Sequence, residues 1–201
     1  MNSDARCQML LDAFRASRDA DYAPRPGVTI DWFALALDPE RPGKPCIQKA
    51  GQPHPGFFVA QTAIPADPRK SVCDPAHWVD SNAVPYVTLP GDRLFRHGVR
   101  KGDLALVHRR VGGVDRLVAA VAGDVGNADE LGEGSIALHR ALGNTVGRNN
   151  LRNIGGGVTT IFFPGREARR PITAESLEAE TEGLLRALGG REAAIACGAG
   201  R

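Results

Sequence analysis

Two uninterrupted apolar runs, Leu104-Ala105-Leu106-Val107 and Leu117-Val118-Ala119-Ala120-Val121, flank a Gly112-Gly113 pair in the middle of the chain. Runs this short and this apolar suit β-strands buried on both faces, because a half-exposed strand or an amphipathic helix would interleave polar residues. The glycine pair between them reads as a hairpin turn. From Val28 to about Phe163 the same texture continues, short apolar stretches separated by Gly, Pro, Asn and Asp clusters. That is the pattern of an all-β barrel or sandwich.

The candidate strands are Trp32–Leu37, Gly56–Thr62, Tyr86–Leu89, Leu104–His108, Leu117–Ala122 and Val158–Phe163. One helix, Ile136–Leu142, interrupts them; Leu138 and Leu142 share a face and Gly143 is a fitting stop. Ahead of the β region, residues 4–18 read as a short amphipathic helix with Met9, Leu10, Ala13 and Phe14 on one side, broken by the Pro24-Arg25-Pro26-Gly27 stretch. Behind it, Thr173–Leu188 reads as a helix capped by Thr173 with an apolar stripe of Leu177, Leu184 and Leu188. The small and polar residues after Gly189-Gly190 read as a mobile tail. The organisation expected is an N-terminal helix and linker over 1–27, a β domain over 28–168, and a C-terminal helix and tail over 169–201.

Composition excludes several function classes. A net charge of +2 over 201 residues is too balanced to argue for nucleic acid, and the arginines are scattered. No stretch reaches the length of a membrane span, and Met9-Leu10-Leu11, followed by Asp12 and Arg15, is too short to open a secretory signal, so the chain is expected to be soluble. Cys7, Cys46, Cys73 and Cys197 share no metal-ligand spacing and argue against zinc; whether they are free or paired, and how, stays open. The five histidines form no His-x-x-x-His pair, no Gly-x-Ser-x-Gly elbow is present, and Gly155-Gly156-Gly157 lacks the lysine of a phosphate loop.

The residues that could carry chemistry are Asp124 and Glu133, framed by Gly123, Gly126, Gly132 and Gly134. Glycines allow sharp turns and close approach of a ligand, and paired carboxylates are the working parts of most glycoside hydrolases. Acidic residues beside glycines also cap turns, and spacing by itself leaves both roles open. Asp124 follows the buried strand, where apolar walls raise a carboxyl pKa; Glu133 precedes the helix near Ser135, whose N-terminus favours the ionised form. Such a split leans toward Asp124 as general acid and Glu133 as general base. A second constellation is Trp78, Asp80, Ser81 and Asn82, leading into Tyr86. The indole could stack on a sugar ring while the polar residues bond its hydroxyl or amino groups; a turn with a packed tryptophan would look the same. Asp103, after Lys101-Gly102, reads as a turn residue.

These blocks together resemble the fungal-type chitosanases, glycoside hydrolase family 75. The resemblance rests on Gly56–Thr62, Trp78–Pro90, Gly102–Ala105, Gly123–Ser135 and Gly157–Ile161, which keep the family's order over roughly residues 30–165. It places the family's essential Asp and Glu on Asp124 and Glu133, and Trp78, Asp80, Ser81, Asn82 and Tyr86 are expected beside them as the substrate-binding residues. It implies inverting endo-hydrolysis of a β-1,4-linked glucosamine polymer, chitosan, by a monomer without metal or cofactor, acting outside the cell and not on nucleic acid or membrane. It leaves the division of acid and base roles open. The Asp-x-Gly turn before a polar segment and a helix also resembles double-psi β-barrel proteins, so the fold expected is mainly β, a six-stranded double-psi-like barrel with peripheral N- and C-terminal helices.

Departures from the family pattern bear on the substrate. Asn127 stands where the family has proline, and Asp129-Glu130 adds negative charge that suits a cationic polymer. Alternatives are a hydrolase of another amino-sugar polymer such as peptidoglycan, delivered as a secreted effector, and a non-catalytic carbohydrate-binding barrel.

Overall fold

The computed structural model describes residues 38–91, 98–126, 133–145, 154 and 157–199. The expected helix over 4–18 and the expected strand Trp32–Leu37 lie outside the described residues.

The chain is mainly β, built on a mixed four-stranded sheet. Its strands are β1 (Tyr86–Pro90), β2 (Asp103–Val111), β3 (Val114–Gly126) and β4 (Val158–Glu167), in the order β1-β3-β2-β4. The two apolar runs fall on β2 and β3, the interior strands, which accounts for their lack of alternation: Asp103 to His108 and Ala119 to Gly123 are all buried. The β2–β3 hairpin turns at Gly112 and Gly113, with φ of +57° and +81°, and pairs Val111 with Val114. Each fully buried Leu or Val side chain along these strands contributes about 2 kcal/mol.

Helices cover the sheet. α1 (Ile136–Ala141) is capped by Ser135, whose hydroxyl accepts from Leu138 N and also from Tyr86 N, tying the helix start to β1. α2 (Ala174–Ala187) is capped by Thr173 in a reciprocal capping box with Ser176. Leu177 and Thr181 bury its inner face, Leu177 in the same core as the strands. The expected mobile tail is instead a helix, α3 (Arg191–Ala199), started directly after Gly189-Gly190 and pinned by the fully buried Ala194. Small side chains there allow the helix to seat closely on the sheet and α2.

Among the described residues the sheet does not close into the six-stranded barrel expected from the sequence. Two features account for this. Among the described residues the Gly56–Thr62 segment forms no extended ladder: Phe58 bridges Ile47, and Ala60 is a further isolated bridge residue. Pro53 and Pro55 just before it lack the N–H groups a ladder needs, and the segment is held instead by a Cys46–Cys73 disulfide and by Gln48, whose amide donates to Phe58 O. The outer edge of β1 is taken by the short stretch Glu133–Ser135. Thr88 N donates to Glu133 O at 3.0 Å, Ser135 N donates to Tyr86 O at 2.9 Å, and Gly134 bridges Val87. Among the described residues β1 and β4 do not pair with one another.

Candidate active site

The centre of the site is the parallel contact between β1 and β3. Their register slips between Val87 and Thr88: Val87 faces Ala122 but Thr88 faces Asp124, so Gly123 is an extra residue on β3. The bulge exists because Tyr86 needs the space. A Cβ on Gly123 would lie 2.6 Å from Tyr86 Cβ and 2.7 Å from its Cγ, closer than real Cβ contacts allow. Bulges of this kind re-aim the following side chain. Here that residue is Asp124.

Paired positions in neighbouring strands project to the same side of a sheet, as do positions two apart in one strand. Thr88, Asp124 and Gly126 therefore share a face. Glu133 reaches it from the segment on the outer edge of β1. A Cβ on Gly126 would sit 2.9 Å from Glu133 Oε2 and 2.9 Å from Thr88 Cγ2. Gly126 is thus the floor on which the Glu133 carboxylate rests, and Thr88 is beside both. The strand register, the bulge and the Gly126 contact bring Asp124 and Glu133 to one face, both half-buried. The loop between them, 127–132, lies outside the described residues.

Thr88 was not distinguishable in the sequence as a site residue. It is 6% exposed, and among the described residues its buried Oγ1 has no hydrogen-bond partner. A buried hydroxyl of this kind is satisfied once a water or a ligand hydroxyl reaches it.

The second constellation is assembled elsewhere. Trp78, Asp80, Ser81 and Asn82 line a pocket of about 540 Å³ together with Gln48, His54 and Phe57. Trp78 Nε1 donates to Val72 O at 2.8 Å, and its ring is half-buried against Cys46, Val59 and Cys73, so the indole anchors this small cluster as well as lining the pocket. Asp80 is exposed, and its Oδ1 accepts from Asn82 N at 2.8 Å. Asn82 Nδ2 lies 3.4 Å from His54 Nε2. Ser81 is buried, and its carbonyl takes the N–H of Ala137 in α1. Tyr86 is 1% exposed and stacked over Gly123, packing in the core below the carboxylates rather than at a surface. His54 and Gln48 gave no signal in the sequence, and Phe57 figured there only within the Gly56–Thr62 strand. A loop histidine among prolines has no periodicity to mark it.

Two buried ionisable groups serve the scaffold. Asp103 accepts from Arg100 N at 2.7 Å and from Gly165 N at 3.1 Å, locking the turn before β2 to β4. Burial, the largest influence, raises its pKa against the lowering effect of those two N–H donors. His139 on α1 is buried, with Asn144 Nδ2 3.1 Å from its Nδ1. Desolvation and then the Arg109 charge lower its pKa to about 4, keeping it neutral at pH 7.

No protein-family model and no curated protein matches this chain.

Proposed function

We propose that this chain is a glycoside hydrolase that cuts a β-1,4-linked glucosamine polymer, with Asp124 and Glu133 as its acid–base pair. The observation that carries this reading is the seating of Glu133 Oε2 over Gly126, on the β3 face that Asp124 shares. Two carboxylates from separate segments, brought to one face by a bulge and by a glycine that leaves room for one of them, are what hydrolysis of a glycosidic bond requires. One protonates the leaving oxygen and the other activates water on the opposite face of the sugar. The buried Thr88 hydroxyl beside them is suited to hold that water or a sugar hydroxyl. The sequence resemblance to family 75 supports inversion and chitosan as the polymer. The Cys46–Cys73 disulfide suits an oxidising, extracellular setting.

The test is release of reducing ends from chitosan and, in parallel, from bacterial sacculi. Products from chitosan support the reading. Products only from sacculi place the same carboxylates on peptidoglycan, and products from neither overturn it.

One observation favours a second reading, a carbohydrate-binding protein without turnover. The 540 Å³ pocket lies at Trp78 and Asp80, and neither Asp124 nor Glu133 lines it. On that reading oligosaccharide binding persists with no products, and Glu133→Gln leaves the affinity unchanged.

A further inference from the structure

We propose that Arg109 and Arg116 form an anion site at the C-terminal end of α1, suited to a dianionic phosphate group. The proposal stands on this cluster alone and does not depend on the hydrolase reading.

The sheet sets the two cations side by side. Arg109 on β2 is paired in register with Arg116 on β3, so the two side chains leave the same face of the hairpin from directly opposed positions. Like charges so placed repel each other. Their neighbours on that face do not offset them: the pair toward the turn is Val111 with Val114, and the pair toward the core is Val107 with Val118. Among the described residues neither arginine is within ion-pair distance of a carboxylate. Asp115, next to Arg116 in sequence, points to the opposite face, where it meets His108 Nε2 at 2.8 Å and Arg110 at 3.4 Å.

Helix α1 holds the two guanidinium groups in place. Arg109 donates one N–H to Leu142 O at 3.2 Å, and Arg116 donates one to Ala141 O at 3.4 Å. Gly143 makes room for Arg116: its φ is +77°, and a Cβ there would lie 2.9 Å from Arg116 Nε. The preceding carbonyls are taken by the backbone, Leu138 O by Leu142 N, His139 O by Asn144 N and Arg140 O by Gly143 N. One N–H from each arginine therefore completes the helix end.

Charge decides what is left over. A helix C-terminus presents about half a negative charge, and it faces two full positive ones. Each guanidinium still has several N–H donors in a fixed fork after the one spent on the helix. Arg109 is half-buried and Arg116 exposed, so the forks are reached from solvent on the Arg116 side. The valines around them keep water partly away, and an ion pair is stronger there than in open solvent. A carboxylate, with one charge, leaves part of the excess unmatched. A phosphate dianion matches it and has oxygens enough for both forks.

The experiment is calorimetric titration of the full chain at low salt with inorganic phosphate, with glycerol phosphate, and with acetate as a monoanion. Saturable binding of inorganic phosphate is expected, at least about tenfold tighter than acetate. Arg116→Gln keeps a side-chain N–H for Ala141 O and is expected to weaken phosphate about tenfold. Arg110→Gln, on the opposite face, is expected to keep the parent's affinity. If Arg116→Gln lowers the thermal melt, Arg116→Lys replaces it: the charge stays, the fork is lost, and phosphate is expected to weaken about threefold with an unchanged melt. Glycerol phosphate bound as tightly as the inorganic ion assigns the site to phosphate esters, and binding of the inorganic ion alone assigns it to free phosphate. The proposal is overturned if the parent shows no saturable phosphate binding, if acetate binds as tightly as phosphate, if the Arg116 variants keep the parent's affinity, or if Arg110→Gln weakens phosphate as much as they do.

Discussion

Glu133 rests on Gly126: a Cβ on that glycine would lie 2.9 Å from Glu133 Oε2 and as close to Thr88 Cγ2. This contact sets where the carboxylate can be. It joins a residue on the far side of a loop to the strand that carries Asp124, and so converts two acids separated in sequence into one face.

Gly126→Ala is therefore expected to displace the Glu133 carboxylate and to cost activity on the order of 100-fold, since a misplacement of about 1 Å has that effect. Gly126 lies at the end of β3, and the melting temperature should fall by only a few degrees. Steady-state rates on chitosan, read beside a thermal melt, check this. Full activity in the alanine variant would show that the contact is not what positions Glu133.

The sequence made the central hairpin legible because a strand buried on both faces cannot hide its apolar run: Leu104–Val107 and Leu117–Val121 mark β2 and β3 with no help from tertiary context. Helix α2 was legible through Thr173 and the Leu177 stripe. Closure was not. Whether Gly56–Thr62 joins a ladder depends on Pro53, Pro55 and the Cys46–Cys73 bond, and bond connectivity is a matter of three-dimensional distance. Nor was α3 legible, since among its described side chains the buried one is an alanine, Ala194. Asp124 and Glu133 stood out by their glycines, but the reason for those glycines did not. Gly123 makes room for Tyr86 and Gly126 for Glu133, and only the register of β1 on β3 reveals it.

Asp103 holds two backbone N–H groups, one in its own turn and one in β4. Asp103→Ala leaves both donors buried without a partner and is expected to lower stability by about 2 kcal/mol, each lost partner costing about 1–3 kcal/mol less any rescue by water. Asp103→Asn keeps one acceptor and should lose less. Urea midpoints of the three proteins give the order; an alanine variant as stable as the parent would contradict it.

His139 ties stability to pH. Its pKa in the folded chain is lowered to about 4, below that of an unfolded histidine near 6.5. Between those values the unfolded chain binds the extra proton, so stability is full above about pH 6.5 and declines as pH falls toward 4. The contribution is on the order of 3 kcal/mol across that window. His139→Gln should flatten the decline in urea midpoint between pH 7 and pH 4.5. An unchanged slope would assign acid sensitivity to other groups.

The Cys46–Cys73 bond spans 27 residues and holds the segment that carries His54 and Phe57. A cross-link of this length removes about 3–4 kcal/mol of unfolded-chain entropy. Replacing both cysteines by serine is expected to lower the melting temperature and to weaken oligosaccharide binding at the pocket before the sheet unfolds. Hydrogen exchange localises the effect: faster exchange over residues 46–73 with β2 and β3 protected is the predicted pattern, and uniform loss of protection is the contrary one.

The central claim is that Asp124 and Glu133 together cut the polymer. Its most direct measurement is reducing-end release from chitosan by the wild-type protein and by Glu133→Gln under the same conditions. Products from the wild type, and a loss of at least about 100-fold in the glutamine variant with the same melt, are predicted for an acid–base carboxylate. Equal product release by the two proteins would contradict the account.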